Sequence, residues 1–211
     1  MRIAVFGATG STGRSLVAQA LDEEHSVVAY ARHPEKLGIA HDRLTVVEGE
    51  LSDVAAIERA VERVDGVISL LGQGMPQKGT PIAQGTRNIL AAMKKLGVRR
   101  VVVVATASAA DPHDAPKLRS RFFVGIAKLL MRPAYDDIVA TAQAVRESDR
   151  AWTIVRPPFL NDGPKTGRVL VGYLGDGVTG TYLSRANLAD FMLKQLAADQ
   201  YVGKAPIVTD A

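Results

Sequence analysis

The chain has 211 residues, of which 47% are hydrophobic and 23% charged, and this length predicts one domain with a single sizeable core. It contains no cysteine, which excludes disulfide bonds, thiolate metal sites and a cysteine nucleophile. The net charge of +4 suits an anionic ligand, but aromatic residues make up only 5% of the chain, so we expect no nucleic-acid partner. No apolar run reaches the length of a membrane span and no secretion signal is evident, so we expect a cytoplasmic protein without integral membrane association.

A short apolar strand, Arg2–Phe6, runs directly into a glycine-rich turn, and a helix follows. The turn is Gly7-Ala8-Thr9-Gly10-Ser11-Thr12-Gly13. Apolar residues at helical spacing indicate the helix, at Leu16, Val17, Ala20 and Leu21. Glycines between a strand and a helix are typical of a dinucleotide site, whereas a glycine-rich turn outside this context is often only a turn.

Each glycine has its own use in such a site. Gly7 allows the tight turn, Gly10 lets the backbone approach a pyrophosphate, and Gly13 lets the helix pack closely on the sheet. Ser11 and Thr12 present amides and hydroxyls at the helix N-terminus, where an anion binds favourably. We therefore predict that this turn holds the pyrophosphate of a dinucleotide.

The second predicted strand, residues 25–31, ends in a basic segment. An NAD site usually carries an acidic residue about twenty positions beyond the glycines, whereas an arginine there accommodates the 2'-phosphate of NADP. Arg32 stands in that place, and Lys36 follows four positions later. The pattern predicts NADPH/NADP+ as the cofactor, and the alternative is a solvated turn that happens to be basic.

The third predicted strand, Leu44–Glu48, leads to the edge where an adenine would lie. Glu50 and Leu51 stand at that edge, and Ser52 or Asp53 is predicted to cap the next helix.

The fourth predicted strand, residues 66–71, includes Leu70 and Leu71 and enters a loop that begins at Gly72. Ligands gather at the carboxyl ends of such strands. Thr80 is predicted to cap the helix that follows, which Pro81 begins and Gly97 ends.

The fifth predicted strand, residues 98–105, contains four consecutive valines, which is typical of a parallel strand buried on both faces. It delivers Thr106 and Ser108 to the same edge as the earlier loops. Strands and helices alternate throughout, so the predicted fold class is α/β, a doubly wound parallel sheet of the Rossmann type.

Residues 115–132 form a basic amphipathic segment, with three interpretations that stay open: a membrane-surface helix, a lid over the site, or a packed peripheral helix. A helix over 136–148 and a sixth strand over 152–156 follow, and two prolines prevent that strand from continuing as a central one. The last predicted helix covers 186–197. We expect one domain over 1–211, in which 157–211 contribute the substrate side.

Several stretches together are similar to one family over nearly the whole chain. They are the glycine turn, Arg32, Leu70-Leu71-Gly72, Gly85-Thr86-Arg87-Asn88-Ile89, Arg156-Pro157-Pro158 and Leu188-Ala189-Asp190-Phe191-Met192-Leu193. The chain resembles the NmrA-like, NAD(P)H-binding branch of the atypical short-chain dehydrogenase/reductases, the branch that includes biliverdin-IXβ reductase, also known as flavin reductase.

The resemblance implies an NADPH-dependent reductase that uses Arg32 and Lys36 on the 2'-phosphate. Glu50 stands where the family usually has an aspartate, and Phe159 stands where its biliverdin reductase carries a histidine beside the substrate. Motif and resemblance together give the predicted cofactor contacts: Gly7, Thr9, Gly10, Ser11, Thr12, Gly13, Arg32, Lys36, Glu50, Leu51, Leu70, Leu71, Gly72, Thr106, Pro158 and Phe159.

The predicted catalytic residues also come from the resemblance. The serine that borders the nicotinamide in this branch falls at Thr106 or at Ser108, and both stay open. No tyrosine of the chain has a lysine four positions later, so the Tyr-x-x-x-Lys acid of ordinary family members is missing. The four histidines show no metal-ligand spacing, and we expect no metal and a solvated His113.

The function predicted from the sequence is hydride transfer from NADPH to a planar conjugated acceptor such as a flavin, a quinone or a linear tetrapyrrole. The alternative is a non-catalytic redox sensor that binds NADP(H) and acts through a protein partner. A monomer or weak homodimer is expected.

Overall fold

The computed structural model describes residues 1–72, 80–115 and 132–211. Its centre is a six-stranded, all-parallel sheet in the order β3-β2-β1-β4-β5-β6. The strands are β1 (Arg2–Phe6), β2 (Ser26–Ala31), β3 (Leu44–Glu48), β4 (Gly66–Ser69), β5 (Arg100–Val104) and β6 (Ala151–Val155). The strand order reverses between β1 and β4, which is where an open α/β sheet forms a ligand crevice.

Helices cover both faces of the sheet. They are α1 (Ser11–Asp22), α2 (Val54–Val61), α3 (Pro81–Lys95), α4 (Arg132–Glu147) and α5 (Arg185–Ala197), with a short 3-10 helix at Pro34–Lys36. One core cluster joins the sheet to α2, α3 and α4, and a second joins it to α1 and α5. This arrangement confirms the predicted doubly wound α/β fold.

Four short strands after β6 form two small two-stranded sheets that pack on this core. β7 (Phe159–Asn161) pairs in parallel with β9 (Tyr182–Ser184), and β8 (Val169–Gly172) pairs antiparallel with β10 (Ile207–Asp210). Leu183 and Val208 are fully buried in the same cluster as Ile3 of β1. The C-terminal part therefore shares a core with the sheet.

Helix caps show where local sequence rules were sufficient and where they were not. Asp53, rather than Ser52, caps α2 by accepting the Ala56 amide at 2.9 Å. Thr80 occupies the N-cap position of α3 as predicted, but its side chain makes no capping hydrogen bond. The buried carboxylate of Asp137 in α4 instead accepts the amides of Ile82 and Ala83 at 3.1 and 2.8 Å.

Two sequence predictions fall largely on chain that the structure does not describe. Within the predicted loop 72–76, residues 73–76 lie outside the described residues. The amphipathic segment 115–132 lies outside them except at its two ends, so its three interpretations remain open. Among the described helices, none is long and apolar enough to cross a membrane.

Candidate cofactor and acceptor site

The three glycines of the turn have different surroundings. Gly7 and Gly13 pack against the protein's own backbone and leave no room for a side chain, whereas Gly10 is open to an approaching ligand. Gly7 has a φ of +82°, and a Cβ there would lie 2.8 Å from the Leu70 carbonyl at the end of β4. A Cβ on Gly13 would overlap the Gly7 carbonyl oxygen. Gly10 is exposed, and the only atom near its hypothetical Cβ is 3.5 Å away, so its backbone faces open space.

A cavity of about 840 Å³ lies along the carboxyl ends of β1, β2 and β4, between the glycine turn and the start of α3. This volume falls within the range of small-molecule and cofactor sites. Of the predicted cofactor contacts, those that line it are Gly7, Thr9, Gly10, Arg32, Glu50, Leu51, Leu70, Leu71 and Gly72. The cavity therefore unites the glycine turn with residues up to 65 positions further along the chain.

The remaining predicted contacts stand outside this cavity. Ser11 and Thr12 begin α1, and Gly13 is buried behind them. Lys36 is exposed at the end of the 3-10 helix. Thr106 and Pro158 belong to the segments that follow β5 and β6, and Phe159 is the first residue of β7.

Arg32 marks the basic end of the cavity. Its side chain is exposed and, among the residues that the structure describes, it makes no hydrogen bond or ion pair. The neighbouring His33 and Glu35 are instead paired with each other, 3.5 Å apart. The guanidinium is thus available to an external anion.

The segment 49–52, which also lines the cavity, is held by two side chains. The Tyr30 hydroxyl donates to the Glu50 carbonyl at 2.7 Å, and the Asn88 amide donates to the Leu51 carbonyl at 2.8 Å. Burial, with a smaller contribution from the Asp53 charge, raises the pKa of Tyr30 to about 12, so this phenol stays a donor at neutral pH. Sequence reasoning missed both residues, although Asn88 lies in a stretch that matched the family.

The loop after β5 carries the two predicted catalytic residues. Thr106 is exposed, and its hydroxyl oxygen accepts the Ser108 amide at 3.3 Å. Ser108 is half-buried, and its own hydroxyl makes no hydrogen bond among the described residues. Both hydroxyls stay predictions for a catalytic contact, and the Ser108 hydroxyl is the one without a competing partner in the described part of the chain.

A buried ion pair anchors this loop. The guanidinium of Arg156, at the end of β6, donates to both carboxylate oxygens of Asp114 at 2.7 Å. Asp114 also accepts the amides of Asp111 and Leu174. Burial alone would raise the pKa of Asp114, but the hydrogen bonds from Arg156 and the two amides together lower it.

His113 is exposed as predicted, but its ring is not free. Its Nδ1 lies 2.7 Å from a carboxylate oxygen of the buried Asp111, and the ring stacks on Tyr173 with centroids 4.8 Å apart. Burial would raise the pKa of Asp111, but the His113 amide and ring and the Ala205 amide lower it. In the described part of the chain no group of three or more metal-binding side chains converges.

A reversal of strand order, a tight glycine turn against α1 and a long cavity over the strand ends define a Rossmann-type dinucleotide-binding protein. The chain belongs to the NAD(P)H-binding family, whose sequence model matches residues 7–199. This membership confirms the NAD(P)H-binding family recognised from the motifs.

Known proteins of several organisms are similar to this chain. A (4-alkanoyl-5-oxo-2,5-dihydrofuran-3-yl)methyl phosphate reductase of Streptomyces griseus is 32% identical over 155 residues, which are 74% of this chain and 46% of that relative. The chain thus spans less than half of the relative's length.

Two solved structures show the same fold. A short-chain dehydrogenase/reductase of Veillonella parvula in complex with NADP has a TM-score of 0.77 at 21% identity, over 99% of this chain and 94% of that one. ChuY, an anaerobillin reductase of Escherichia coli O157:H7, has a TM-score of 0.77 at 20% identity, over 100% and 97%.

Proposed function

We propose that this protein is an NADPH-dependent reductase whose acceptor is a planar conjugated molecule, such as a flavin, a quinone or a linear tetrapyrrole. The observation that carries the proposal is the cavity that the glycine turn and Arg32 line together, where Arg32 has no hydrogen bond or ion pair within the described part of the chain. When bound, NADPH would supply a hydride.

The preference for NADPH over NADH rests on charge. A guanidinium that has no partner in the described part of the chain can form charge-assisted hydrogen bonds to a 2'-phosphate, which NADH lacks. No acidic side chain stands in the place where an NAD site usually holds the ribose. Lys36, exposed at the end of the 3-10 helix, adds a second positive charge four residues after Arg32.

The proposed class of acceptor rests on the absence of a Tyr-x-x-x-Lys pair from the sequence. Without a tyrosine–lysine pair, the chain has no strong proton donor of the kind that simple ketones require. A conjugated acceptor can spread the charge that a hydride brings and take its proton from solvent. Thr106 and Ser108 then orient the reactants through hydrogen bonds, and residues 157–211 provide the acceptor's side of the site. Positioning of this kind can supply several kcal/mol of barrier lowering.

The relatives support reduction in general. Both the Streptomyces relative and ChuY are named as reductases. Their names do not agree on one acceptor. We therefore take from the relatives only that the acceptor is reduced, and we take the class of acceptor from this chain's own residues. A cytoplasmic monomer or weak homodimer is proposed with it.

The test is NADPH oxidation with a panel of riboflavin, menadione and a linear tetrapyrrole, each compared with an enzyme-free blank. We expect oxidation of NADPH with at least one acceptor and slower oxidation of NADH. Tight NADPH binding without turnover on any acceptor would contradict the reductase and favour the redox-sensor alternative.

A further inference from the structure

Two aromatic rings are exposed side by side on the small sheet that β7 and β9 form. Phe159 is 64% exposed and Tyr182 is 59% exposed, the two highest values among the large hydrophobic side chains that the structure describes. Their ring centroids are 6.1 Å apart and the ring planes are tilted by 44°. Exposed aromatic pairs are costly to keep in water, and such surfaces commonly mark binding sites.

The pairing of β7 with β9 fixes the two rings. Phe159 and Tyr182 are opposite each other in the parallel register, and the Phe159 amide donates to the Thr181 carbonyl at 3.1 Å. The next pair, Leu160 and Leu183, packs with the core cluster under the sheet. Because side chains alternate along a strand, burying the leucines turns both rings outward.

The short connection after β6 limits how far the pair can lie from the end of that strand. Phe159 is four residues beyond the end of β6, so its Cα lies within about 14 Å of that strand end. The turn between them starts at Arg156, whose ion pair with Asp114 also holds the loop that carries Thr106 and Ser108. Phe159 and the two hydroxyls therefore lie in segments that follow the neighbouring strands β6 and β5, and Tyr182 is joined to Phe159 by the pairing of β7 with β9.

We infer that Phe159 and Tyr182 form an aromatic clamp for the planar acceptor, a role that rests on the proposed reductase function. The 44° tilt means that a flat ligand stacks on one ring and meets the other at an angle, an arrangement that aromatic groups favour. The clamp is selective for a ring and not for a charge. Arg185, which follows β9, is already paired with Asp162 at 2.7 Å.

The binding experiment avoids turnover. Riboflavin is titrated into protein saturated with NADP+, and quenching of flavin fluorescence gives a dissociation constant. We expect Phe159→Ala and Tyr182→Ala each to weaken riboflavin about fivefold or more, because the loss of one stacking ring typically costs at least that much. Tyr182→Phe should bind like wild type, since the ring is kept, and FMN should bind like riboflavin.

Kinetics and a matched control complete the test. With NADPH in excess, the alanine variants should raise the KM for the acceptor more than they lower kcat, and Tyr182→Ala, which lies outside the predicted cofactor contacts, should keep the affinity for NADP+. Leu96→Ala, which removes an exposed hydrophobic side chain at the end of α3, should change none of these values.

The outcomes separate the clamp from the reductase. If wild type binds riboflavin through the two rings but oxidises no NADPH, the reductase is wrong and the clamp stands. If wild type reduces acceptors and both alanine variants keep its KM and its dissociation constant, the clamp is wrong and the reductase stands. Failure of wild type to bind riboflavin and menadione refutes the clamp. So does a wild-type dimer that the alanine variants dissociate without any change in acceptor binding.

Discussion

Arg156 and Asp114 form a bidentate ion pair whose side chains are 0% and 6% exposed, and the pair joins the end of β6 to the loop that follows β5. The Arg156 guanidinium also donates to the Ala109 carbonyl at 3.3 Å, so it holds that loop at two points. The pair therefore ties the segment that contains Thr106 and Ser108 to the segment that leads from β6 to Phe159.

Removing one partner of this pair should be costly. Asp114→Asn leaves a buried guanidinium without its counter-charge, and such a loss typically costs about 3 to 5 kcal/mol of unfolding free energy. Urea unfolding measures it. The matched control is Glu58→Gln, which breaks the more exposed pair with Lys95 and should cost at most about 1 kcal/mol. Equal losses for the two variants would contradict the role of the buried pair.

The same pair predicts how stability depends on pH. The pKa of Asp114 is lowered in the folded protein, so its contribution is fully present above the unfolded carboxyl pKa of about 3.9 and is lost as pH falls through the lower folded value. Wild type should therefore lose stability more steeply than Asp114→Asn below about pH 4. Parallel acid profiles for the two proteins would show that Asp114 does not carry the effect.

Discrimination between NADPH and NADH should depend on Arg32. Arg32→Ala removes charge-assisted hydrogen bonds to the 2'-phosphate, each typically worth about 1.5 to 3 kcal/mol, so NADPH affinity should fall roughly tenfold or more. NADH affinity should change little, and this is the internal control of the experiment. Calorimetric titration of wild type and variant with both cofactors measures the effect. Equal affinity of wild type for the two cofactors would refute the assignment.

Substitutions at two glycines of the turn should have different effects, one on NADPH binding and the other on the stability of the fold. Gly10→Val places a side chain in open space, so the protein should fold normally but lose NADPH binding, because the backbone can no longer approach the pyrophosphate. Gly13→Ala overlaps the Gly7 carbonyl and should lower the stability of the fold itself. Thermal unfolding and NADPH titration of both variants separate the effects. Normal NADPH binding by Gly10→Val would place the pyrophosphate elsewhere.

Deleting either predicted catalytic hydroxyl should have a limited effect. Removing an essential proton donor typically slows a reaction about a hundredfold or more. Thr106→Ala and Ser108→Ala should each slow acceptor reduction by less than that, because their proposed role is orientation. The measurement is kcat with NADPH binding checked in parallel. If one of them abolishes activity while NADPH binds normally, that residue is the proton donor and the positioning mechanism fails.

The sequence was sufficient where the signal is local. The glycine turn, the buried valines of β5 and the alternation of strands with helices predicted the sheet and its cavity, since each depends on residues close in the chain. The position of Arg32 in the cavity lining was predictable because one strand–helix unit sets its place relative to the turn.

Contacts between distant residues were not predictable in this way. The cap that Asp137 provides for α3 comes from 54 and 55 positions away, and Arg156 reaches Asp114 across 42. Phe159 and Tyr182 become neighbours only because β7 pairs with β9. No hydrophobic period or short motif encodes these partners, because they depend on how whole elements pack.

The cap on α3 also decides which helix can attract a negative charge. Both α1 and α3 begin at the rim of the cavity, where Gly10 and Pro81 line it. The amides at the start of α3 are already satisfied by the Asp137 carboxylate, which also offsets the positive end of that helix dipole. No described side chain caps α1, and its first turn contains no acidic residue. Of these two helices, only α1 therefore offers uncapped amides to an anionic group, so a diphosphate that enters the cavity is attracted to the start of α1 and not to the start of α3.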